Sequence, residues 1–268
     1  MKKKVPGRVL RSEEISNDIF SMWIETELSL DAMPGQFVGV YTKNASMLLP
    51  RPISICEVDR ECSAIRLVYR VAGKGTNEFS HYHAGSAVEL IGVLGNGYDL
   101  EKARGRHVAL MAGGIGIPPI VELAKRLSGR VKDAEGERIA DRISIIVGYR
   151  DCNTFLLEEL QQYGDVYVAT EDGSVGTKGN VIDALKGNKL NPELIMSCGP
   201  MPMLKAIKHY AEENSIDAYI SLEERMACGV GACLGCVCKT TKEDSHSHVK
   251  NARICTDGPV FEAKEVEI

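Results

Sequence analysis

Over its first hundred residues the chain is built from short apolar runs broken by turn-forming residues. Val5–Leu10, Ile19–Ile24, Phe37–Tyr41, Ile53–Val58, Ile65–Val71 and Val88–Val93 are rich in β-branched and apolar side chains. Pieces such as Met33-Pro34-Gly35 and Gly73-Lys74-Gly75 separate them. Six strands at this spacing predict a small antiparallel barrel or sandwich. From about residue 105 the pattern changes. Buried-type strands at His107–Ala112, Ile143–Tyr149, Val166–Thr170 and Leu194–Ser197 alternate with helical periods. Those periods run through Ile120, Leu123, Ala124 and Leu127, near Phe155–Gln162, near Asn180–Leu185, and from about Pro202 to Glu213. This alternation predicts a doubly wound parallel sheet with helices on both faces. The charged stretch 129–142 reads as a solvated connection. The chain therefore divides into a β-domain over 1–100, an α/β domain over 101–217 and a small, cysteine-rich module over 218–268.

Charge and composition narrow the function. The net charge of −5, with no basic block beyond Lys2-Lys3-Lys4, argues against a nucleic-acid partner. No apolar run follows those lysines, so no signal peptide is expected. No stretch approaches the roughly 18 apolar residues of a membrane span. There are nine cysteines, four of them between residues 228 and 238. Without a secretory signal, these favour thiolate ligands in a reducing cytoplasm over disulfides.

Cys228, Cys233 and Cys236 stand in a C-x4-C-x2-C spacing, and Cys255 follows well downstream. That is the plant-type spacing for a [2Fe–2S] cluster, with three thiolates on one tight loop and a fourth from another segment. Structural zinc sites more often show two C-x2-C knuckles, so a zinc-binding interaction protein is the lesser alternative. Gly229, Gly231 and Gly235 would let backbone N–H groups approach sulfur. Cys238, two residues after Cys236, crowds that geometry and is read as a spare thiol, leaving Cys255 as fourth ligand. His246 and His248 in the polar loop read as solvated.

Other segments carry phosphate or nicotinamide chemistry. Arg51-Pro52-Ile53-Ser54 opens a strand with a guanidinium beside a hydroxyl, a pair suited to a phosphate and a ring edge, although a surface arginine before an edge proline has the same pattern. Gly73-Lys74-Gly75-Thr76, with Thr76 as helix N-cap, would offer N–H groups to a pyrophosphate, or is a plain surface turn. Gly113-Gly114-Ile115-Gly116 falls between a buried strand and a helix begun by Pro118 and Pro119, the arrangement that sets phosphate against a helix N-terminus. Cys198-Gly199-Pro200 closes a core strand, and Cys198 alone would be an ordinary buried thiol. Glu171 and Asp172 end another strand. Carboxylates there would repel a 2′-phosphate and accept a bond from a free ribose hydroxyl, so NAD is expected over NADP.

Taken together, the first two segments resemble the flavin-binding barrel of the ferredoxin–NADP reductase superfamily. The resemblance implies FAD contacts from Arg51, Pro52, Ile53, Ser54, Val68, Tyr69, Arg70, Gly75 and Thr76. Ile53 stands where many relatives carry an aromatic residue. Cys198-Gly199-Pro200 resembles the nicotinamide end of the same superfamily. The run Ser221-Leu222-Glu223-Glu224-Arg225-Met226-Ala227-Cys228, with Cys255-x-Asp257-Gly258-Pro259, resembles the electron-transfer subunits of class 1B dihydroorotate dehydrogenases. Leu94-Gly95-Asn96-Gly97-Tyr98 resembles that family's hinge. The segment between Cys236 and Cys255 is a few residues longer than usual for it. The likeness implies a relay between a [2Fe–2S] cluster, FAD and NAD+, with dihydroorotate oxidised on FMN in a partner subunit and the complex a heterotetramer. A diaphorase subunit of a hydrogenase or sulfur-reducing complex would share every module, and a stand-alone NADH reductase would need no partner.

Overall fold

The computed structural model describes residues 3–131, 134–243 and 248–268. Six strands, β1 (Lys4–Ser16), β2 (Ile19–Glu25), β3 (Phe37–Tyr41), β4 (Arg51–Asp59), β5 (Ala64–Arg70) and β6 (Ala87–Leu94), close a barrel in the order β1-β2-β5-β4-β3-β6. Every pairing in it is antiparallel. Period-two alternation sends Met22, Ile24, Ile55, Leu67 and Leu90 inward. The short helix α1 (Lys74–Ser80) adds the fully buried Phe79 to this core.

The second domain holds β7 (His107–Gly113), α2 (Pro118–Ser128), a hairpin of β8 (Arg130–Val131) and β9 (Ala134–Glu135), β10 (Arg142–Tyr149), α3 (Leu157–Leu160), β11 (Asp165–Thr170), β12 (Thr177–Lys178), α4 (Val181–Gly187), β13 (Leu194–Cys198), α5 (Met201–Asn214) and β14 (Asp217–Ser221). The C-terminal module adds β15 (Val237–Lys239), β16 (Asn251–Arg253) and β17 (Val260–Glu262). The sheet order is β12-β11-β10-β7-β13-β14-β17, parallel except for the last pair. From β7 the chain winds outward through β10 and β11, then returns to β13 on the other side. This leaves a crevice at the carboxyl ends of β7 and β13, where open α/β sheets take their ligands. Among the described residues no helix is long and apolar enough to cross a membrane.

Two local expectations change. The helix expected over 155–162 is one turn, α3, because Phe155 and Leu156 are buried ahead of it and Leu156 takes φ 62°, which stops a helix extending back through it. The stretch 129–142 is not wholly a solvated connection: β8 and β9 pair, and Ala140 enters the core. Lys132 and Asp133 of that stretch, His246, and Lys2 of the basic block lie outside the described residues.

One apolar core spans the junction between the domains, joining Ile19, Cys56 and Val68 of the barrel to Val108, Leu110, Ile117 and Ile120. Beside it lies a buried ion network. Lys125 Nζ of α2 donates to Glu57 Oε1 of β4 at 3.0 Å and to the Val58 carbonyl at 3.2 Å. Glu122 Oε2 accepts the Val58 N–H at 3.0 Å and lies 3.9 Å from Lys125 Nζ. Arg66 of β5 donates to Glu159 of α3 at 2.5 and 3.1 Å, to Ser21 Oγ at 2.9 Å, and pairs with Glu57 at 3.6 Å. The barrel and the nucleotide sheet are therefore joined by both apolar and ionic contacts.

Candidate functional site

The switch-point crevice opens into a cleft of about 880 Å³, bounded by Asp18 and Arg70 of the barrel and by Gly113, Gly114 and Gly116 of the turn after β7. Gly199 and Pro200 after β13, together with Glu171 after β11, complete it. The glycines are there for close packing. A Cβ on Gly116 would lie 2.5 Å from the Cys198 carbonyl oxygen and 2.6 Å from Gly199 Cα. A Cβ on Gly113 would lie 2.8 Å from Met203 Sδ. α2 begins just beyond with Pro118 and Pro119, which carry no N–H, and the Ile120 N–H bonds the Ile117 carbonyl at 3.0 Å, so backbone donors toward the cleft come from the Gly114–Gly116 turn. The cleft therefore offers backbone donors and room for a dinucleotide phosphate.

Cys198 lies under this floor, 1% exposed. Burial pushes its thiol up to about 12, and the nearby Glu223 carboxylate adds to the rise. It is an uncharged packing group and no nucleophile. Glu223, the residue that sequence reasoning missed, lines the cleft. Surrounded by protein yet open to the cavity, its carboxyl is raised above the usual glutamate range by burial. It can hold a proton beside a bound ring. Its only signal in the sequence is its place five residues before Cys228. Asp172, by contrast, is spent locally: its carboxylate accepts from the Ser174 N–H at 2.9 Å and hydroxyl at 2.7 Å. Glu171 alone of that pair faces the cleft.

Arg51, Gly75 and Thr76 meet at one end of the barrel. The Arg51 guanidinium lies over Gly75, where a Cβ would collide with it. It also donates to the Leu49 carbonyl. Thr76 is the third residue of α1, and the N-cap is Gly73. The expected Thr76 cap is thus corrected: its hydroxyl reaches back to accept the N–H of Ala72 at 2.9 Å and of Gly73 at 3.2 Å. Val68 and Arg70 face the nucleotide domain and the cleft. Tyr69 points into the barrel, stacked on Phe20 and edge-on to Phe79, so only its backbone is open to a ligand. Ile53 is likewise buried in the barrel core, while Pro52 is exposed and Ser54 half-buried.

Left-handed backbone at Gly229 (φ 68°), Gly231 (φ 83°) and Leu234 (φ 55°) curls the cysteine loop on itself. Cys228 Sγ accepts N–H bonds from Val230 and Cys233, both at 3.4 Å, and Cys233 Sγ accepts one from Gly235 at 3.4 Å. Burial raises the Cys228 thiol, but these donors outweigh it and bring it down to about 7. The Cys228 sulfur lies beside Cys233 and the Cys255 sulfur beside Cys236, while among the described residues no three of these side chains converge on a single ion position. Burial and the adjacent Cys236 sulfur push the Cys255 thiol up to about 12, and a bound cation would relieve that crowding. The Gly231 N–H faces Cys255 as well. Cys238 instead sits in β15 opposite Ala252 and lines a separate crevice with Leu222 and Lys205. N–H donors aimed at paired sulfurs fit thiolates on two irons.

A barrel, a doubly wound sheet with its glycine-lined cleft, and a three-thiol loop joined by Cys255 from a separate turn define a flavin- and nicotinamide-linked reductase that carries an iron–sulfur module. The family model for the iron–sulfur cluster binding domain of dihydroorotate dehydrogenase B matches residues 223–267. A dihydroorotate dehydrogenase B (NAD(+)) electron transfer subunit from Listeria monocytogenes serotype 4a (strain HCC23) is 37% identical over 97% of this chain and 98% of the relative. The corresponding subunit from Shouchella clausii (strain KSM-K16) is 39% identical over 98% of this chain and 99% of the relative. The chain belongs to the family of dihydroorotate dehydrogenase B electron transfer subunits. Among solved structures, a chain of an NADH-dependent reduced ferredoxin-NADP oxidoreductase, studied for flavin-based electron bifurcation, superposes with a TM-score of 0.83. It is 27% identical, over 97% of this chain and 89% of that one. The cytochrome b5 reductase domain of Ulva prolifera nitrate reductase shares the fold, with a TM-score of 0.62 at 18% identity over 84% of this chain and 96% of that one.

Proposed function

We propose that this electron transfer subunit draws electrons from an FMN-containing catalytic partner that oxidises dihydroorotate and passes them to NAD+, in the cytoplasm and in the service of pyrimidine synthesis. The working complex in this reading is a heterotetramer with two copies of each subunit. Residues 1–100 hold FAD, 101–217 hold NAD and 218–268 hold the cluster. The chemistry supplied by these groups when bound is two-electron exchange with nicotinamide and one-electron exchange with iron, FAD working in both modes.

The chain's own residues supply position, electrostatics and shelter. Arg51 over Gly75, with Ser54, Pro52 and the backbone of Ile53, Tyr69 and Thr76, holds the flavin and its pyrophosphate, and Val68 and Arg70 close the side toward the cleft. The Gly113, Gly114 and Gly116 turn takes the nicotinamide dinucleotide phosphates. Gly199 and Pro200 let the nicotinamide approach, Cys198 packs beneath them, and Glu171 accepts from a ribose hydroxyl, with Asp172 adding repulsion toward a 2′-phosphate. Cys228, Cys233, Cys236 and Cys255 would hold the cluster.

The observation that carries this reading is the tether between the two sites. Glu223 lines the cleft and Cys228 follows five residues later, a chain span of at most about 18 Å. A nucleotide cleft and a thiolate set so close together form a relay. The test is a pair of variants purified anaerobically. Cys255→Ser is expected to lose iron and cluster absorption while NADH still bleaches the flavin, and Cys238→Ser is expected to retain both. Iron kept in Cys255→Ser and lost in Cys238→Ser would reverse the ligand assignment. A second reading, a subunit of another NADH-linked complex, draws on the likeness to the bifurcating oxidoreductase over 97% of this chain. Identification of the co-purifying catalytic subunit separates the two.

A further inference from the structure

The segment Leu94–Tyr98 joins the barrel to the nucleotide domain, yet its contacts are not confined to those two units. Tyr98 donates its hydroxyl to the Ser197 carbonyl at 2.8 Å, just beneath the cleft floor. A Cβ on Gly229, beside Cys228, would touch Leu94 at 3.3 Å. Between them, Asn96 grips the residues that directly follow Cys255. Its backbone N–H donates to the Gly258 carbonyl at 2.6 Å. Its carboxamide donates to the Thr256 carbonyl at 3.0 Å and to the Asp257 carbonyl at 3.1 Å. Gly95 permits this approach, since a Cβ there would lie 2.5 Å from Pro259 Cδ.

The turn that Asn96 holds is closed from within by other groups. The Arg253 carbonyl accepts the N–H of Thr256 at 3.1 Å and of Asp257 at 2.7 Å, and the Asp257 carboxylate takes the Arg253 N–H at 2.8 Å. Those bonds shape the turn but do not anchor it to the rest of the molecule. The donors on Asn96 do, alongside the Leu222 N–H on the Pro259 carbonyl and the Ile254 N–H on the Cys236 carbonyl, both at 2.9 Å, and those on Asn96 come from the linker at the flavin side of the relay.

We infer that Asn96 is a positioning residue for Cys255: its two amide donors fix the turn carrying the fourth thiolate against the interdomain linker, and so set how firmly the cluster is held and what field it feels. The inference rests on the cluster reading above. An amide suits the place because two carbonyl oxygens need two N–H donors from one side chain. Aspartate has the same shape, no donors, and a charge that repels both carbonyls. The backbone bond to Gly258 survives any substitution, so the linker itself stays in place.

The test uses the full chain with its flavin and iron, purified anaerobically as wild type, Asn96→Asp and Asn96→Ala. Three quantities are read: iron per flavin, the rate of iron loss to a chelator, and the electron paramagnetic resonance spectrum of the reduced cluster with its midpoint potential. Loss of two hydrogen bonds is expected to speed iron loss about tenfold in Asn96→Ala, and more in Asn96→Asp. A shifted spectrum and potential are expected in both variants, with NADH reduction of the flavin at the wild-type rate. A purely structural linker residue would leave spectrum and potential unmoved in folded protein. If Asn96→Asp does not fold, Asn96→Ser, which keeps one donor, is expected to fall between wild type and Asn96→Ala. Wild-type spectrum, potential and iron-loss rate in Asn96→Ala overturn the inference alone. Absence of iron from the wild type overturns the cluster reading and this inference with it.

Discussion

Replacing Lys125 with methionine tests what holds the barrel to the nucleotide domain. The methionine keeps the packing of the stem and removes the ammonium. In the native protein that ammonium bonds Glu57 at 3.0 Å and the Val58 carbonyl at 3.2 Å, and it lies 3.9 Å from Glu122. The side chains of Lys125, Glu57 and Glu122 are 8%, 9% and 1% exposed, so water cannot replace the lost partner. Removing one member of a buried pair costs about 3–5 kcal/mol. The orphaned Val58 carbonyl adds about 1 kcal/mol. A loss of about 5 kcal/mol is expected at neutral pH, which lowers the melting temperature by roughly 10–20 °C for a chain of this size. The deficit also depends on pH. Burial already raises the Glu122 carboxyl, with Lys125 opposing the rise. A carboxyl raised in the folded state contributes stability below its unfolded value of about 4.3, and loses it as pH climbs through the folded one. Removing Lys125 lifts Glu122 further, so the deficit is small near pH 4 and grows toward neutrality. Glu122→Gln in the same background is expected to restore about half of it. Calorimetry across this pH range is the assay. A loss below about 1 kcal/mol at pH 7, or a deficit that shrinks with rising pH, would refute the reasoning.

Two further outcomes follow from the cleft. Gly116→Ala forces a Cβ to 2.5 Å from backbone oxygen that cannot give way, so a loss of about 2–3 kcal/mol and at least tenfold weaker NADH binding are expected by calorimetric titration; wild-type affinity would show that the turn does not meet the nucleotide. Because Glu223 is raised by burial, it keeps its proton to higher pH than a free glutamate, and the rate of flavin reduction by NADH is expected to show a pH limb that Glu223→Gln abolishes. An identical profile in stopped-flow traces would remove Glu223 from the chemistry.

Much of the fold was legible because period and punctuation agree. The six apolar runs became the six barrel strands, and the strand–glycine–helix passage at Gly113–Pro119 became the switch-point turn. The cysteine spacing pointed to its loop because cluster geometry restricts it. The choice between Cys238 and Cys255 depends on where each sulfur sits in three dimensions, which spacing does not give: Cys238 lies in β15 opposite Ala252, and Cys255 lies beside Cys236. Other features left no trace along the chain. Glu57, Arg66, Glu122, Lys125 and Glu159 read as ordinary surface charges until the fold gathers them from four elements. Glu223 has no pattern of its own, because a cleft is made by segments far apart in sequence. The Thr76 expectation failed by three residues: a threonine can serve a helix start from either end of its capping pair, and here it serves from inside.

The seventh strand of the nucleotide sheet bears on whether the iron–sulfur unit is a separable cassette. β17 comes from the C-terminal module, and it pairs with β14 through Tyr219–Glu262, Ile220–Phe261 and Ser221–Val260. A chain cut after Ser221 would leave β14 with a row of unpaired N–H and C=O groups, the template on which strands of neighbouring molecules add. Deleting the module to obtain a simple flavin reductase would therefore trade a redox centre for a sticky border. The module's last strand covers the edge of the sheet before it, so a truncated chain is expected to associate through that edge.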